Sequence, residues 1–400
     1  MDGVRPDGPQ FVLINSISRS GGTFLKALFD RLPGVLTFPI EFPTAAGRSV
    51  DFLTSEQFGR LAGYREWADA TGLSYFLTQF GNRPYGRMFG RPQRPGEPDV
   101  SFDYGEFSRI VGGSFAGFGN VREAYLASWR TFASCITVDG APTAWAADDF
   151  PMHALVNHYA TDVTREFSIL DRNAAPVCRL YLVHVVRDPL ENVASLRQHW
   201  VSVGRHRGFA AMALARWELY LYAALRNKIL YPDRCDLVLY DADVANVARS
   251  FAASPVPLLQ TAAGSDMRPT VLGLPLQGQS YKERRGGGVA ERYDYASRFS
   301  PDDLAGLERG RERIYRFLGI SSLAEIASGY QPSVGFQELV DLSPEVFEGL
   351  LRSAGDTFTF AVSEHLDFDR NALRHVRQLG LTGLARRLAR SVVGPKWFRR

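Results

Sequence analysis

The chain has 400 residues, of which 45% are hydrophobic and 22% charged, and its formal net charge is +3. This balance provides enough apolar surface for a sizeable core, so it excludes the fibrous and intrinsically disordered classes of protein.

The three cysteines, Cys135, Cys178 and Cys235, lie far apart and form no C-x-x-C pair. Their spacing predicts neither a zinc site nor a disulfide framework. The first ten residues lack the charged and apolar regions of a signal peptide, and no apolar run reaches the roughly 18 residues of a membrane span. The expected compartment is therefore the reducing cytoplasm.

The strongest signal lies at residues 10–29, where an apolar strand (11–14) runs into the turn SISRSGG and then into an amphipathic helix from about Thr23. The turn provides backbone N–H groups, hydroxyls and the guanidinium of Arg19. Its two glycines permit positive φ and close backbone approach, and Thr23 can cap the helix. Such a turn predicts a phosphate or sulfate site. A purely structural strand-turn-helix is the alternative.

The turn is not a Walker A loop. That motif requires a glycine six residues before its lysine, whereas the first lysine here is Lys26, which falls within the helix.

A second strand-turn-helix signal lies at residues 179–200. An apolar strand (180–186) ends at Arg187, Asp188 is a favourable N-cap and Pro189 a favourable first helical residue. Ser195 lies about two helical turns beyond Asp188, so it projects from the same face and can reach an anion that Arg187 also holds. Taken singly, each is equally compatible with a surface arginine and an ordinary helical serine.

Both segments resemble sulfotransferases that use 3′-phosphoadenosine 5′-phosphosulfate (PAPS). The first is similar to the family's 5′-phosphosulfate loop, and the second to its 3′-phosphate site with Arg187 and Ser195. The resemblance implies an α/β fold of P-loop-like architecture, with a central, mainly parallel sheet flanked by helices on both faces, and it implies no metal. The donor-loop residues that it indicates are Arg19, Ser20, Gly21, Gly22, Thr23 and Phe24.

Weaker similarity extends over residues 10–320. Residues 32–41 resemble the family's second strand, and residues 235–243 a later strand that ends in a Tyr-Glu-Asp-like turn, here with Asp in place of Glu. The Gly-rich basic stretch 279–292 resembles the loop that closes over the adenine and 3′-phosphate, and it supplies Lys282. Residues 311–320 resemble a helix that ends in Leu-Gly.

The resemblance also implies catalytic roles. Arg19 stands where many relatives have lysine; it should stabilise the leaving oxygen but not transfer protons. Glu41, among apolar neighbours just past the second strand, is the candidate general base, because burial would raise its pKa toward neutrality. An exposed loop glutamate is the alternative. His153 and His158 are the other candidates for the base, on a helix expected after Pro151.

We expect residues 1–369 to form the α/β domain, with a helical and loop-rich insertion at residues 44–175 for the acceptor. Arginines and aromatic residues alternate over residues 79–107, which favours a hydroxyl-bearing carbohydrate or glycolipid acceptor. An exposed basic loop is the alternative interpretation. The sequence gives no prediction of oligomeric state.

The last segment, residues 370–400, carries nine Arg or Lys and no acidic residue. Subtracting this +9 from the total of +3 leaves −6 for the rest of the chain, which argues against nucleic-acid binding. Leucines and arginines fall on opposite helical faces, so residues 371–400 are expected to bind an anionic membrane surface, at the inner face of the membrane. A basic helix packed on the acidic domain is the alternative.

Two other functions compete with sulfuryl transfer. Asp241 and Asp243 form a D-x-D pattern, which can hold a divalent cation and a nucleotide sugar in a glycosyltransferase. A non-catalytic nucleotide-binding adaptor at a membrane surface would keep the anion-binding turn without the chemistry. A metal requirement for activity would favour the first alternative. Loss of transfer in Glu41→Gln with donor binding intact would argue against the second.

Overall fold

A computed structural model describes the chain in segments. Of residues 153–158 it describes only the backbone. The described residues are 10–17, 19–37, 55–70, 96, 98–143, 153–158, 178–201, 209–241, 244–265, 267–271, 274–275, 295–327, 329–343, 346–347 and 349. Several predicted features lie outside them: Glu41, Lys282, Asp243, most of the arginine-aromatic stretch (79–95 and 97) and the basic tail (370–400).

Parallel strands form the main sheet. Its five strands are β1 (Gln10–Asn15), β2 (Val35–Thr37), β6 (His153–His158), β7 (Arg179–Val186) and β8 (Cys235–Leu239). Their order is β2-β6-β1-β7-β8, and every neighbouring pair is parallel. The central, mainly parallel sheet predicted from the sequence is therefore confirmed.

The central strands are apolar along nearly their whole length because both faces of the sheet are covered. Successive side chains point to opposite faces. In β1, Val12 and Ile14 enter one buried cluster together with Val183 of β7, whereas Phe11 and Leu13 enter a cluster on the other face. A polar residue at any of these positions would be buried.

Helices pack on both faces, as predicted. On the Val12 face lie α1, α8 and α9, and on the opposite face lie α6, α7 and α10 with the shorter α11 and α12. The helix bounds are α1 Gly22–Leu28, α2 Ser55–Gly59, α3 Tyr64–Ala70, α4 Tyr104–Ser114, α5 Val121–Ser134, α6 Pro189–Val201, α7 Phe209–Leu230, α8 Val244–Phe251, α9 Pro257–Ala263, α10 Pro301–Leu318, α11 Ala324–Ala327 and α12 Val334–Val340.

Residues 98–143 form a second layer. The strands β3 (Val100–Phe102), β4 (Ile136–Val138) and β5 (Ala141–Pro142) make an antiparallel sheet, which packs with α4 and α5. Aromatic residues of this layer share a core with Phe11 and Leu13 of β1. Phe102, one of the aromatic residues predicted to face an acceptor, is buried in that core. It therefore has a packing role.

Two further short strands, β9 (Thr270–Val271) and β10 (Leu274–Pro275), pair antiparallel near the end of α1. The buried carboxylate of Asp30 accepts hydrogen bonds from the hydroxyls of Thr37, at 2.7 Å, and Thr270, at 2.8 Å. It thereby ties β2 to β9.

Two helices on the Phe11 side are joined by a buried ion pair. Glu218 of α7 is fully buried, and its carboxylate accepts hydrogen bonds from the Arg313 guanidinium of α10 and from the Tyr222 hydroxyl. Helix α10 ends at Leu318 with Gly319 at φ 75, so the predicted Leu-Gly helix end is confirmed. Among the described helices, none is long and apolar enough to cross a membrane.

Candidate functional site

The two predicted anion-binding segments follow adjacent strands at the carboxyl edge of the sheet. The chain leaves β1 through α1 on one face and leaves β7 through α6 on the other, toward opposite edges of the sheet. This divergence creates a crevice between the ends of β1 and β7. In open α/β sheets, ligands bind in such a crevice.

The turn after β1 differs in detail from the prediction. Helix α1 begins at Gly22, with Gly21 as its N-cap at φ 100 and without a side-chain cap, so Thr23 does not cap the helix. Only Gly21 of the two glycines uses positive φ, and Arg19 also adopts it, at φ 70. A left-handed conformation costs a non-glycine residue about 1–2 kcal/mol, and such strain is concentrated at functional sites.

Tyr240, directly after β8, forms one wall of the turn. Its backbone N–H donates to the Val186 carbonyl at 2.7 Å. Its ring lies so close to Gly21 that a Cβ there would come within 2.8 Å of three ring carbons. The Phe24 ring meets it edge-on at 5.4 Å, and the guanidinium carbon of Arg187 lies 4.8 Å from its centroid.

Tyr240 belongs to the Tyr-Glu-Asp-like turn that the resemblance covered, but the sequence assigned it no role at the site. Gly21 and Tyr240 are more than 200 residues apart, and their contact is visible only once β1, β7 and β8 are placed side by side. Phe24 is buried against Tyr240. Its side chain therefore has a packing role, and only its backbone remains a candidate ligand contact.

Arg187 reaches the turn directly. Its Nη1 donates to the Arg19 carbonyl at 3.4 Å, and its Nε donates to Oε2 of Glu191 at 3.0 Å. Its side chain is 13% exposed. Within the described part of the chain, these contacts use two of its five N–H groups, so the guanidinium can also hold an anion.

Helix α6 connects the two segments a second time. Oδ1 of Asp188 accepts the backbone N–H groups of Leu190 and Glu191, so the predicted N-cap is confirmed. One turn further on, the buried amide of Asn192 donates to Oγ of Ser20 at 3.0 Å. Sequence analysis missed Asn192, because its partner lies 172 residues away.

Ser195 follows one turn beyond Asn192 on the same side of α6, and it is 7% exposed. Its contact with an anion that Arg187 also holds stays a prediction.

The histidine candidates lie on a strand instead of the expected helix. His153 opens β6 and pairs with Gln10, at the amino end of β1, whereas His158 pairs with Asn15 at the carboxyl end. Five steps of a strand span about 16 Å. This placement of the His153 backbone argues against a role at the turn after β1. His158 is the residue of β6 at the carboxyl edge of the sheet, where the two predicted anion-binding segments begin.

A cavity of about 630 Å³ adjoins the carboxyl ends of β7 and β8, and Asp188, Tyr240, Asp241, Arg311 and Tyr315 contribute to its lining. Oδ2 of Asp241 accepts a hydrogen bond from the Asn246 amide of α8 at 2.7 Å. Burial, and then the charge of Asp188, raise the pKa of Tyr315, so its hydroxyl stays protonated. No group of metal-ligating side chains occurs among the described residues.

No family model matches this sequence, and neither does any curated protein. Among solved structures, the sulfotransferase domain from the Synechococcus PCC 7002 olefin synthase is similar at 16% sequence identity and a TM-score of 0.29. The similarity covers 69% of this chain and 78% of that one. A match at this level carries no functional assignment, which depends on the geometry of the site.

Two arginines lie at this edge of the sheet, Arg19 in the turn after β1 and Arg187 directly after β7. Arg187 donates to the Arg19 carbonyl, and the buried Ser20 hydroxyl of the same turn accepts the Asn192 amide. Helix α1 has only seven residues, so the fixed charges of the two arginines are the main electrostatic attraction.

Proposed function

We propose that this protein is a sulfotransferase that moves a sulfuryl group from PAPS to a hydroxyl of an acceptor. One observation carries the proposal: the two segments that resemble the family's 5′ and 3′ anion sites touch each other, through Arg187 and the Arg19 carbonyl and through Asn192 and Ser20. They therefore belong to one crevice.

The residues present fit such a donor. Gly21 lets the Tyr240 ring pack directly against the turn, because that ring occupies the space that a Cβ would take. In this proposal the turn residues Arg19 to Phe24 hold the 5′-phosphosulfate through backbone N–H groups and hydroxyls. Arg187 and Ser195 hold the 3′-phosphate, and Lys282 approaches from the Gly-rich stretch.

The chemistry asks chiefly for positioning and neutralisation of charge. Arg19 stabilises the bridging oxygen as the bond between sulfur and that oxygen breaks. Glu41 accepts the proton of the acceptor hydroxyl while the hydroxyl oxygen forms its bond to sulfur. The products are then a sulfate ester and 3′-phosphoadenosine 5′-phosphate. Arg19 keeps its positive charge throughout, because a guanidinium is always charged in proteins.

A calorimetric titration in EDTA tests the donor site. The native protein is expected to bind 3′-phosphoadenosine 5′-phosphate more tightly than adenosine 5′-phosphate, which lacks the 3′-phosphate. Arg187→Ala should weaken binding of the bisphosphate by about ten- to a hundredfold, since a charge-assisted hydrogen bond contributes about 1.5–3 kcal/mol.

Arg197→Ala is the matched control. Arg197 lies on the same helix, and its guanidinium pairs with Asp303 of α10 at 3.6 Å, away from the turn. Its removal should leave both affinities unchanged. Equal affinity of the native protein for the two ligands would overturn the proposal. A strict requirement for a divalent cation would favour the glycosyltransferase alternative and the Asp241–Asp243 pair.

For the acceptor we propose a carbohydrate or glycolipid, because a basic segment able to lie on an anionic membrane would bring the enzyme to lipid-linked glycans. Deletion of residues 371–400 is expected to abolish sedimentation of the protein with vesicles that contain anionic lipid, without changing donor affinity. Undiminished sedimentation would instead indicate that the basic segment packs on the acidic domain.

A further inference from the structure

We propose that Tyr220 is a positioning residue of the donor site: its hydroxyl fixes the separation between the ends of β1 and β7. This inference rests on the proposed function, because the two strand ends carry the two halves of the PAPS site. Tyr220 lies on α7 and does not itself belong to either half.

The Tyr220 hydroxyl lies between two backbone carbonyls. Its oxygen is 2.8 Å from the Asn15 carbonyl oxygen and 3.0 Å from that of Val185, and the whole residue is buried. A hydroxyl has one proton, which these two acceptors share. Burial raises the pKa of Tyr220 well above its ordinary value, so the hydroxyl remains a donor.

The two carbonyls stand where the strands separate. Asn15 is the last residue of β1, and its register partner in β7 is His184. Beyond this pair the chain turns into Ser16 on one side and reaches Arg187 on the other. The Tyr220 hydroxyl therefore joins β1 and β7 at the last position before the crevice opens.

Other side chains of α7 contact the same two strand ends. The indole N–H of Trp217 donates to the Arg187 carbonyl at 2.9 Å. The buried ring of His184 lies between the amides of Asn15 and Asn227. Helix α7 thus contacts the ends of β1 and β7 and the Arg187 carbonyl, which lies between β7 and α6. A single atom, the hydroxyl oxygen of Tyr220, contacts both strands.

A change in the strand separation should affect a two-ended ligand far more than a one-ended one. Adenosine 5′-phosphate engages only the turn after β1, whereas the 3′,5′-bisphosphate must also reach Arg187. The ratio of the two affinities therefore reports the spacing. It is insensitive to a general loss of stability, because both ligands are measured on the same folded variant.

Tyr220→Phe is the test, with titration of both nucleotides in EDTA. We expect the affinity ratio to fall about tenfold, since small misplacements of binding groups cost one to two orders of magnitude. Tyr222→Phe is the matched control. It removes a buried hydroxyl from the same helix, but one that donates to Glu218 on the side facing α10. Its ratio should equal that of the native protein.

Each result has a distinct meaning. If Tyr220→Phe keeps the native affinity ratio, or if Tyr222→Phe lowers that ratio equally, Tyr220 has no positioning role. Either result is compatible with the proposed donor site. A native protein that shows no preference for the bisphosphate overturns the proposed function, and this inference with it. If Tyr220→Phe does not fold, Trp217→Phe is measured instead. It removes the hydrogen bond from α7 to the Arg187 carbonyl, so the ratio of the two nucleotide affinities should fall. An unchanged ratio overturns the role of α7 in spacing the two strand ends.

Discussion

Gly21→Ala is expected to abolish donor binding. The new Cβ would come within 2.8 Å of three carbons of the Tyr240 ring, at a backbone φ of 100 that L side chains rarely adopt. The Tyr240 ring cannot move aside freely, because Phe24 and Arg187 contact it. In addition, the backbone N–H of Tyr240 donates a hydrogen bond to the Val186 carbonyl. The turn must therefore shift, and affinity for the bisphosphate should fall by about a hundredfold or more.

Gly140→Ala separates the effect of the steric clash with Tyr240 from the effect of backbone strain at positive φ. Gly140 also has positive φ, at 75, but no atom of the described residues beyond its chain neighbours lies within 4 Å of a Cβ added there. It lies in the turn between β4 and β5, so it should cost only the backbone strain of about 1–2 kcal/mol. The thermal midpoint of both variants should fall, whereas only Gly21→Ala should lose calorimetric binding. Native-like donor affinity in Gly21→Ala would show that the turn does not hold the donor.

Arg313→Ala is expected to lower the free energy of unfolding by about 3 kcal/mol, because it removes a guanidinium that pairs with a buried carboxylate. Glu218 is fully buried on α7, and the hydroxyl of Tyr222 would remain its hydrogen-bond donor. That residual donor places the estimate at the lower end of the range for a broken buried pair. Denaturation followed by circular dichroism measures the effect.

The exposed Arg316 on the same helix provides the control, since Arg316→Ala removes an equal charge from the solvent side. Adding Glu218→Gln to Arg313→Ala should recover much of the loss, because no charge is then left buried. A double variant that is no more stable than Arg313→Ala would mean that side-chain packing of Arg313, and not its charge, holds α7 to α10.

Features that depend on local chemistry were predictable from the sequence. The apolar runs of β1 and β7, the Asp188 cap and the glycine that ends α10 each follow from residues close together in the chain. The parallel sheet with helices on both faces followed from the repeated strand-turn-helix pattern and from the resemblance.

Features that depend on tertiary contacts were not predictable. A helix was expected after Pro151, but residues 153–158 pair with both β1 and β2, and sheet pairing overrides the local pattern. Asn192 and Tyr220 gave no signal, because a buried asparagine and a buried tyrosine on amphipathic helices resemble ordinary core residues. Their roles arise only from partners 172 and 205 residues away.

The central position of β1 has a consequence for biosynthesis. Its neighbours in the sheet are β6 and β7, so among the described strands β1 has no partner until residue 153 has been added. At about 5–20 residues per second, that delay is on the order of ten seconds. During this time the apolar segment FVLI must stay out of wrong pairings, and a nascent-chain chaperone is the cellular factor suited to cover it.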